Sequence, residues 1–179
     1  TLVSFTLRWS APVGELLPPS SAIERAQAAD GAPRLVGRSA DITVVLFTDY
    51  RCPACRRSDE SILDEIAKDG RVELVVRPLT IFGEQSELAA RAALAASLQG
   101  RFAAMHRMLM RSSVVLGPTA VEQLARRSGV DGARFRTDLK FQNAWITAVL
   151  NRNRMAAFTL GFKGTPSYLV GRYRVEGAI

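Results

Sequence analysis

With 179 residues, 47% of them hydrophobic and 23% charged, the chain has the length and composition of an ordinary soluble globular domain, or of one domain carrying an insertion, and it can bury a substantial core. No apolar run approaches the length of a membrane span. The net charge of +7 arises wholly in residues 100–179, where 13 Lys and Arg face 4 acids; yet Arg107, Arg111, Arg126, Arg127, Arg134, Arg136, Arg152 and Arg154 scatter over helical faces without the clustered aromatics of a single-strand binder, which argues against nucleic acid and for a solvated surface.

Residues 1–35 read as an N-terminal arm or linker. Ser4 to Trp9 alternates as a short strand would, but Pro12, Gly14, Pro18, Pro19 and the pair Ser20-Ser21 break it. A short helix from Ser21 to Ala29, starting at a serine cap, is predicted, and Trp9 is assigned to packing or an interface. No positively charged leader followed by an apolar core occurs, so the compartment is inferred rather than read.

After Gly37 a strand begins near Ile42, and the uninterrupted run Val44 to Phe47 predicts burial on both of its faces. It breaks at Asp49-Tyr50-Arg51-Cys52-Pro53-Ala54-Cys55, where a helix starts. Ile62, Leu63 and Ile66 fall on its buried stripe, with Asp59, Glu60, Asp64, Glu65 and Lys68 on the other side and Gly70 as the stop. Pro53 has no N–H to orphan in the first turn, which puts Cys52 at the N-cap. Unpaired N–H groups and the helix dipole favour an anion there, so Cys52 is expected to ionise below the ~8.5 of a free thiol, with Arg51, Arg56 and Arg57 adding to the effect.

Cys52 and Cys55 are the only cysteines. Their spacing fits a small redox disulfide in which Cys52 attacks and Cys55 resolves. A structural zinc site would need two more ligands, and the chain offers a single histidine. A purely structural disulfide across so short a loop would constrain the unfolded chain little. An inactivated redox fold fits poorly while both thiols are present.

A second strand, Arg71 to Leu79, follows the helix, and strand, helix and strand at this spacing make a right-handed crossover with the cysteines at the carboxyl edge of the sheet. From Ser86, a candidate cap, to about Leu160 the pattern is helical, with Asp131 capping one helix and Asn143 to Leu160 the longest. His106 lies in an apolar stripe between Met105 and Met108 and reads as a satisfied core or boundary histidine. Gly161 to Val170 then returns to strand chemistry, Gly171 turns a hairpin into Arg172–Val175, and a cis bond is expected before Pro166.

The motif around Cys52-Pro53-Ala54-Cys55, followed past a helical insertion by Leu160-Gly161-Phe162-Lys163-Gly164-Thr165-Pro166-Ser167-Tyr168, resembles the DsbA-like thiol–disulfide oxidoreductases. The resemblance implies an α/β thioredoxin-like fold with an inserted α-helical domain: 1–35 as the arm, 36–83 and 161–179 as the thioredoxin-like domain, 84–160 as the insertion. It implies catalysis by Cys52 and Cys55 with Pro53 and Ala54 supporting the motif, and a cis-Pro166 facing the disulfide. Thr165 would pair with a bound substrate strand through its backbone. Partners would be protein or peptide thiols and disulfides in the periplasm or another exported setting, plus a redox partner that recharges the site; no metal or organic cofactor is called for. Two departures stand out. Leu46 occupies the place of a carboxylate that many relatives carry six residues before the first cysteine, and Pro53-Ala54 lacks the histidine of the most oxidising members, which implies a milder oxidant. The residues leave open whether the enzyme oxidises, isomerises or reduces. An alternative class also stays open, a redox-inactive binding module that holds a partner peptide at the Thr165-Pro166 edge.

Overall fold

The computed structural model describes residues 14–28, 30–36 and 40–178; the strand and tryptophan expected between Ser4 and Trp9 lie outside them. In chain order the elements are β1 (Glu15–Leu16), α1 (Ser21–Gln27), β2 (Arg34–Val36), β3 (Ile42–Thr48), α2 (Pro53–Asp69), β4 (Val72–Pro78) and α3 (Glu84–Ser97). Then come α4 (Phe102–Arg111), α5 (Pro118–Arg127), α6 (Gly132–Phe141), α7 (Asn143–Thr159), β5 (Ser167–Val170) and β6 (Tyr173–Glu176).

The strands form one sheet in the order β1-β6-β5-β3-β4-β2. β3 lies parallel to β4, with Ile42 opposite Val72 and Thr48 opposite Pro78, and antiparallel to β5, with Leu46 opposite Tyr168. The expected crossover through α2 is therefore present. Successive residues of a strand point to opposite faces, so the apolar run of β3 feeds two cores. Leu46 joins Leu74, Val76, Tyr168 and both cysteines beneath α2 and the helices of the insertion. Val45 and Phe47 join Val75 and Leu169 on the opposite face, under α1 and the end of α7. Burial on both faces explains why this strand needs no polar alternation.

The helical stretch matches the expected elements, with two refinements. Asp131 does cap α6, its carboxylate accepting from the Arg134 N–H at 2.7 Å. Ser86 does not cap α3, which starts two residues earlier after Gly83; its hydroxyl donates to Asp49 Oδ1 at 2.7 Å instead. α7 serves both layers, since Ile146, Val149 and Leu150 enter the core of the insertion while Ala157 packs on the far side of the sheet.

Residues 14–36 do more than the arm or linker expected of their composition. β1 pairs with β6 and β2 with β4, so this segment supplies both sheet edges. α1 docks through Ile23 and Ala26 in the apolar core and through a polar contact at its C-terminal end. Arg77, an arginine of β4 with 0% exposure, donates from Nε to Ala26 O at 2.7 Å and from Nη2 to Arg25 O at 3.0 Å, pairs with Asp30 at 3.0 Å, and reaches Asn153 Oδ1 of α7 at 2.9 Å. Orphan carbonyls at a helix C-terminus call for such donors. No apolar periodicity reveals an element held in this way.

Candidate active site

β3 ends at Thr48, and the chain turns over Asp49-Tyr50-Arg51 into α2. Cys52 is the N-cap and Pro53 the first helical residue, as expected. The turn is built by Asp49, which is completely buried. Its Oδ1 accepts from the Arg51 N–H at 2.7 Å, and its Oδ2 from the Ile81 and Phe82 N–H groups at 2.8 and 3.3 Å. One carboxylate thus ties the cysteine turn to the loop before α3.

The register of β5 against β3 brings the preceding loop to the same edge. The Thr165–Pro166 bond is cis, as expected. The Cys52 thiol lies 3.2 Å from Thr165 O, so Cys52, Cys55, Thr165 and Pro166 meet in one place. Both cysteines are free and buried, at 3% and 2% exposure.

Their acidities do differ. Burial pushes the Cys52 thiol up, but hydrogen bonding by the Thr165 side chain, by the backbone and thiol of Cys55 and by the Ala54 backbone outweighs it and brings the thiol below its ordinary value. The Cys55 N–H at 3.4 Å from Cys52 Sγ is the N-cap interaction at work. Burial dominates at Cys55, whose thiol is pushed up to about 11. Arg56 does not contribute as expected: its Nε donates to Met110 O at 2.9 Å and its Nη2 to Ser112 O, so the guanidinium is spent on the end of α4.

Sequence reasoning placed Asp59 on the solvent side of α2, and this is corrected. Asp59 is 7% exposed and its Oδ1 lies 2.8 Å from His106 Nε2, whose Nδ1 lies 3.1 Å from Tyr50 Oη. His106 is thus the satisfied core histidine expected. The missed signal was spacing: Asp59 follows Cys55 by four residues and continues the row to Ile62, Leu63 and Ile66.

The thioredoxin family profile matches residues 30–179. The chain belongs to the thioredoxin family. Among solved structures, a thioredoxin-like oxidoreductase from Silicibacter pomeroyi DSS-3 is 38% identical, covers 87% of this chain and 89% of its own, and superposes with a TM-score of 0.81. A periplasmic thioredoxin-like protein from Salmonella enterica serovar Typhimurium is 27% identical over 91% of both chains, with a TM-score of 0.75. Among curated proteins, the Na(+)/H(+) antiporter NhaA 3 of Salinispora tropica is 31% identical over 142 residues, which is 78% of this chain and 22% of that protein. The chain therefore spans about a fifth of the length of the curated relatives it matches. The family match and the solved neighbour at 38% identity, a thioredoxin-like oxidoreductase, bear out the expected thioredoxin-like fold with its helical insertion. Among the described residues no helix is long and apolar enough to cross a membrane.

Proposed function

We propose that this thioredoxin-family chain exchanges disulfides with exported protein substrates, with Cys52 as the nucleophile, Cys55 as the resolving thiol and the Thr165-Pro166 edge as the seat of the substrate strand. The observation that carries the reading is geometric: Cys52 caps the helix with Cys55 one turn on, its Sγ 3.4 Å from the Cys55 N–H and 3.2 Å from Thr165 O beside the cis Thr165–Pro166 bond, and these surroundings lower the Cys52 thiol while burial pushes Cys55 up to about 11. A thiolate is both the better attacking group and the better leaving group, so the thiol lowered at the N-cap is the one that ionises and reacts. In the oxidising direction a substrate thiolate attacks Cys52 Sγ of the Cys52–Cys55 disulfide, and Cys55 leaves as thiolate and takes a proton. The second substrate thiolate then attacks the substrate sulfur of the mixed disulfide, and Cys52 departs as the stabilised thiolate. The substrate has lost two electrons and the enzyme holds them as two thiols, which a redox partner must reoxidise. The reverse sequence reduces or reshuffles. The division into a thioredoxin-like unit of residues 36–83 and 161–179 and an insertion of 84–160 belongs to the same reading, with β1, α1 and β2 added to the former. A periplasmic neighbour supports export.

Turnover of a fluorescent dithiol peptide by the full chain tests this. Cys52→Ser should abolish it, and Cys55→Ser, given the peptide in its disulfide form, should hold a mixed disulfide in which the Cys52 thiolate has attacked and one peptide thiolate has left. Peptide oxidation by Cys52→Ser at the parent rate would refute the assignment.

A further inference from the structure

His106 stands outside the exchange chemistry, yet it touches both ends of the cysteine motif. It projects from α4 with 0% exposure, and its ring is fixed between Phe102 and Tyr50, whose ring centroids lie 5.3 and 5.4 Å away. An imidazole with its proton on Nε2 satisfies both polar contacts: Nε2–H donates to the Asp59 carboxylate, and Nδ1 accepts from the Tyr50 hydroxyl. Burial, with the charges of Asp59 and Asp49 behind it, pushes the Tyr50 phenol well up, so it keeps the proton it donates. Tyr50 precedes Cys52 by two residues and Asp59 follows Cys55 by one helical turn. A side chain from a separate layer therefore grips both flanks of the pair.

The rest of the α2–α4 seam is polar as well. Arg56 holds Met110 O and Ser112 O at the end of α4, and Glu60 pairs with Arg111. The other elements packed on α4 bring no charge inward: α3 buries Ser86, alanines and Leu94, and α5 buries Val121, Leu124 and Ala125. Asp59 is thus the charge that His106 meets. Tyr168, in the same core as the cysteines, is raised first by burial and also by the charges of Cys55, Asp59 and Cys52, against the opposing hydrogen bond of Ser58.

We propose that His106 is a positioning residue for thiol–disulfide exchange: it holds Asp59 as a paired carboxylate one turn from Cys55 and locks Tyr50 ahead of Cys52, fixing both flanks of the pair. The proposal rests on the exchange function above and concerns the electrostatics of the same site. Asp59 is the buried carboxylate of α2, and with leucine at position 46 the strand beneath adds none. Without the imidazole, Asp59 is left desolvated with no donor, and such a carboxylate keeps its proton to higher pH. Its ionisation then enters the range of the thiols and the titrations couple.

The test is the pH titration of thiolate absorbance in the reduced full chain, with its exchange constant against glutathione and its thermal midpoint. The parent should titrate through Cys52 in one step below pH 9. In His106→Leu the profile should split or broaden by about one pH unit, the influence of a unit charge within ~8 Å in a protein interior. The exchange constant should move by up to about tenfold, or about 30 mV for a two-electron couple. Adding Asp59→Asn to that variant should restore a single step. His106→Gln, whose amide can donate to Asp59 and accept from Tyr50, should keep the parent profile. A His106→Leu protein with a lowered thermal midpoint but a single-step titration and the parent exchange constant overturns the proposal and leaves His106 a packing residue. Should that variant fail to fold, His106→Asn, too short to reach both partners, takes its place with the same two readings. Failure of the parent itself to exchange with glutathione would strike the functional reading instead.

Discussion

At the scale of single residues the two thiols are chemically identical and only their surroundings separate them. The N-cap position of Cys52 could be read from Pro53 alone, because proline restricts where a helix can begin. The burial that raises Cys55 depends on Leu46 and Tyr168, from strands far apart in sequence, and no local pattern announces it. In a Cys55→Ala protein the Cys52 thiolate should therefore appear with a midpoint below the ~8.5 of a free thiol. In Cys52→Ala, Cys55 should still titrate above the free-thiol value, because burial is the largest cause of its rise. The sign follows for the reaction: attack by Cys52 rises with pH only until its lowered midpoint is passed and then levels off. Resolution by Cys55 keeps rising toward about 11. Stopped-flow rates against pH check both limbs, and a plateau in resolution near neutrality would show a base acting on Cys55.

Secondary-structure elements were legible where apolar residues recur at a fixed period, which is why β3, α2, β4 and the helices from α3 to α7 could be read close to their true places. Joints between elements were not legible, because they depend on single polar side chains. Asp49 is the clearest case. It was visible only as a motif letter, yet it accepts from the backbone of Arg51, Ile81 and Phe82 and from the Ser86 hydroxyl, joining the end of β3 to the start of α3. Ser86 looked like a helix cap because serine usually is one there, and the tertiary acceptor won. Asp49→Ala leaves these buried donors without a partner, and unmade hydrogen bonds of this kind cost about 1–3 kcal/mol each, less whatever water recovers. The expected outcome is a loss of about 2–4 kcal/mol in denaturant unfolding, with faster amide exchange at Ile81 and Phe82 and intact α2. Unchanged exchange at those two amides would mean the loop is held by other contacts.

On the scale of the whole molecule, the sheet has two dressed faces, and they are assembled differently. The face bearing the cysteines is covered by an alanine-rich helical insertion whose core is apolar and whose composition foretells it. The other face is closed by α1 and the end of α7, and the link among α1, β4 and α7 is Arg77. Arg77 tolerates burial in an apolar strand because the carbonyls at the end of α1, the Asp30 carboxylate and Asn153 together replace the water it gives up. This is why residues 14–36 resembled a linker: the partner that organises them lies about 50 residues downstream. Arg77→Met keeps volume but removes every donor, leaving several helix-end carbonyls unpaired under a packed layer. Unfolding free energy should fall by about 3 kcal/mol, and limited proteolysis should cut first between residues 14 and 36. The Cys52 titration should stay where it is, since Arg77 points into the face opposite the cysteines. A shift of that titration in a variant that still holds α1 would show that the two faces are electrically coupled through the sheet, and that the division of labour between them is wrong.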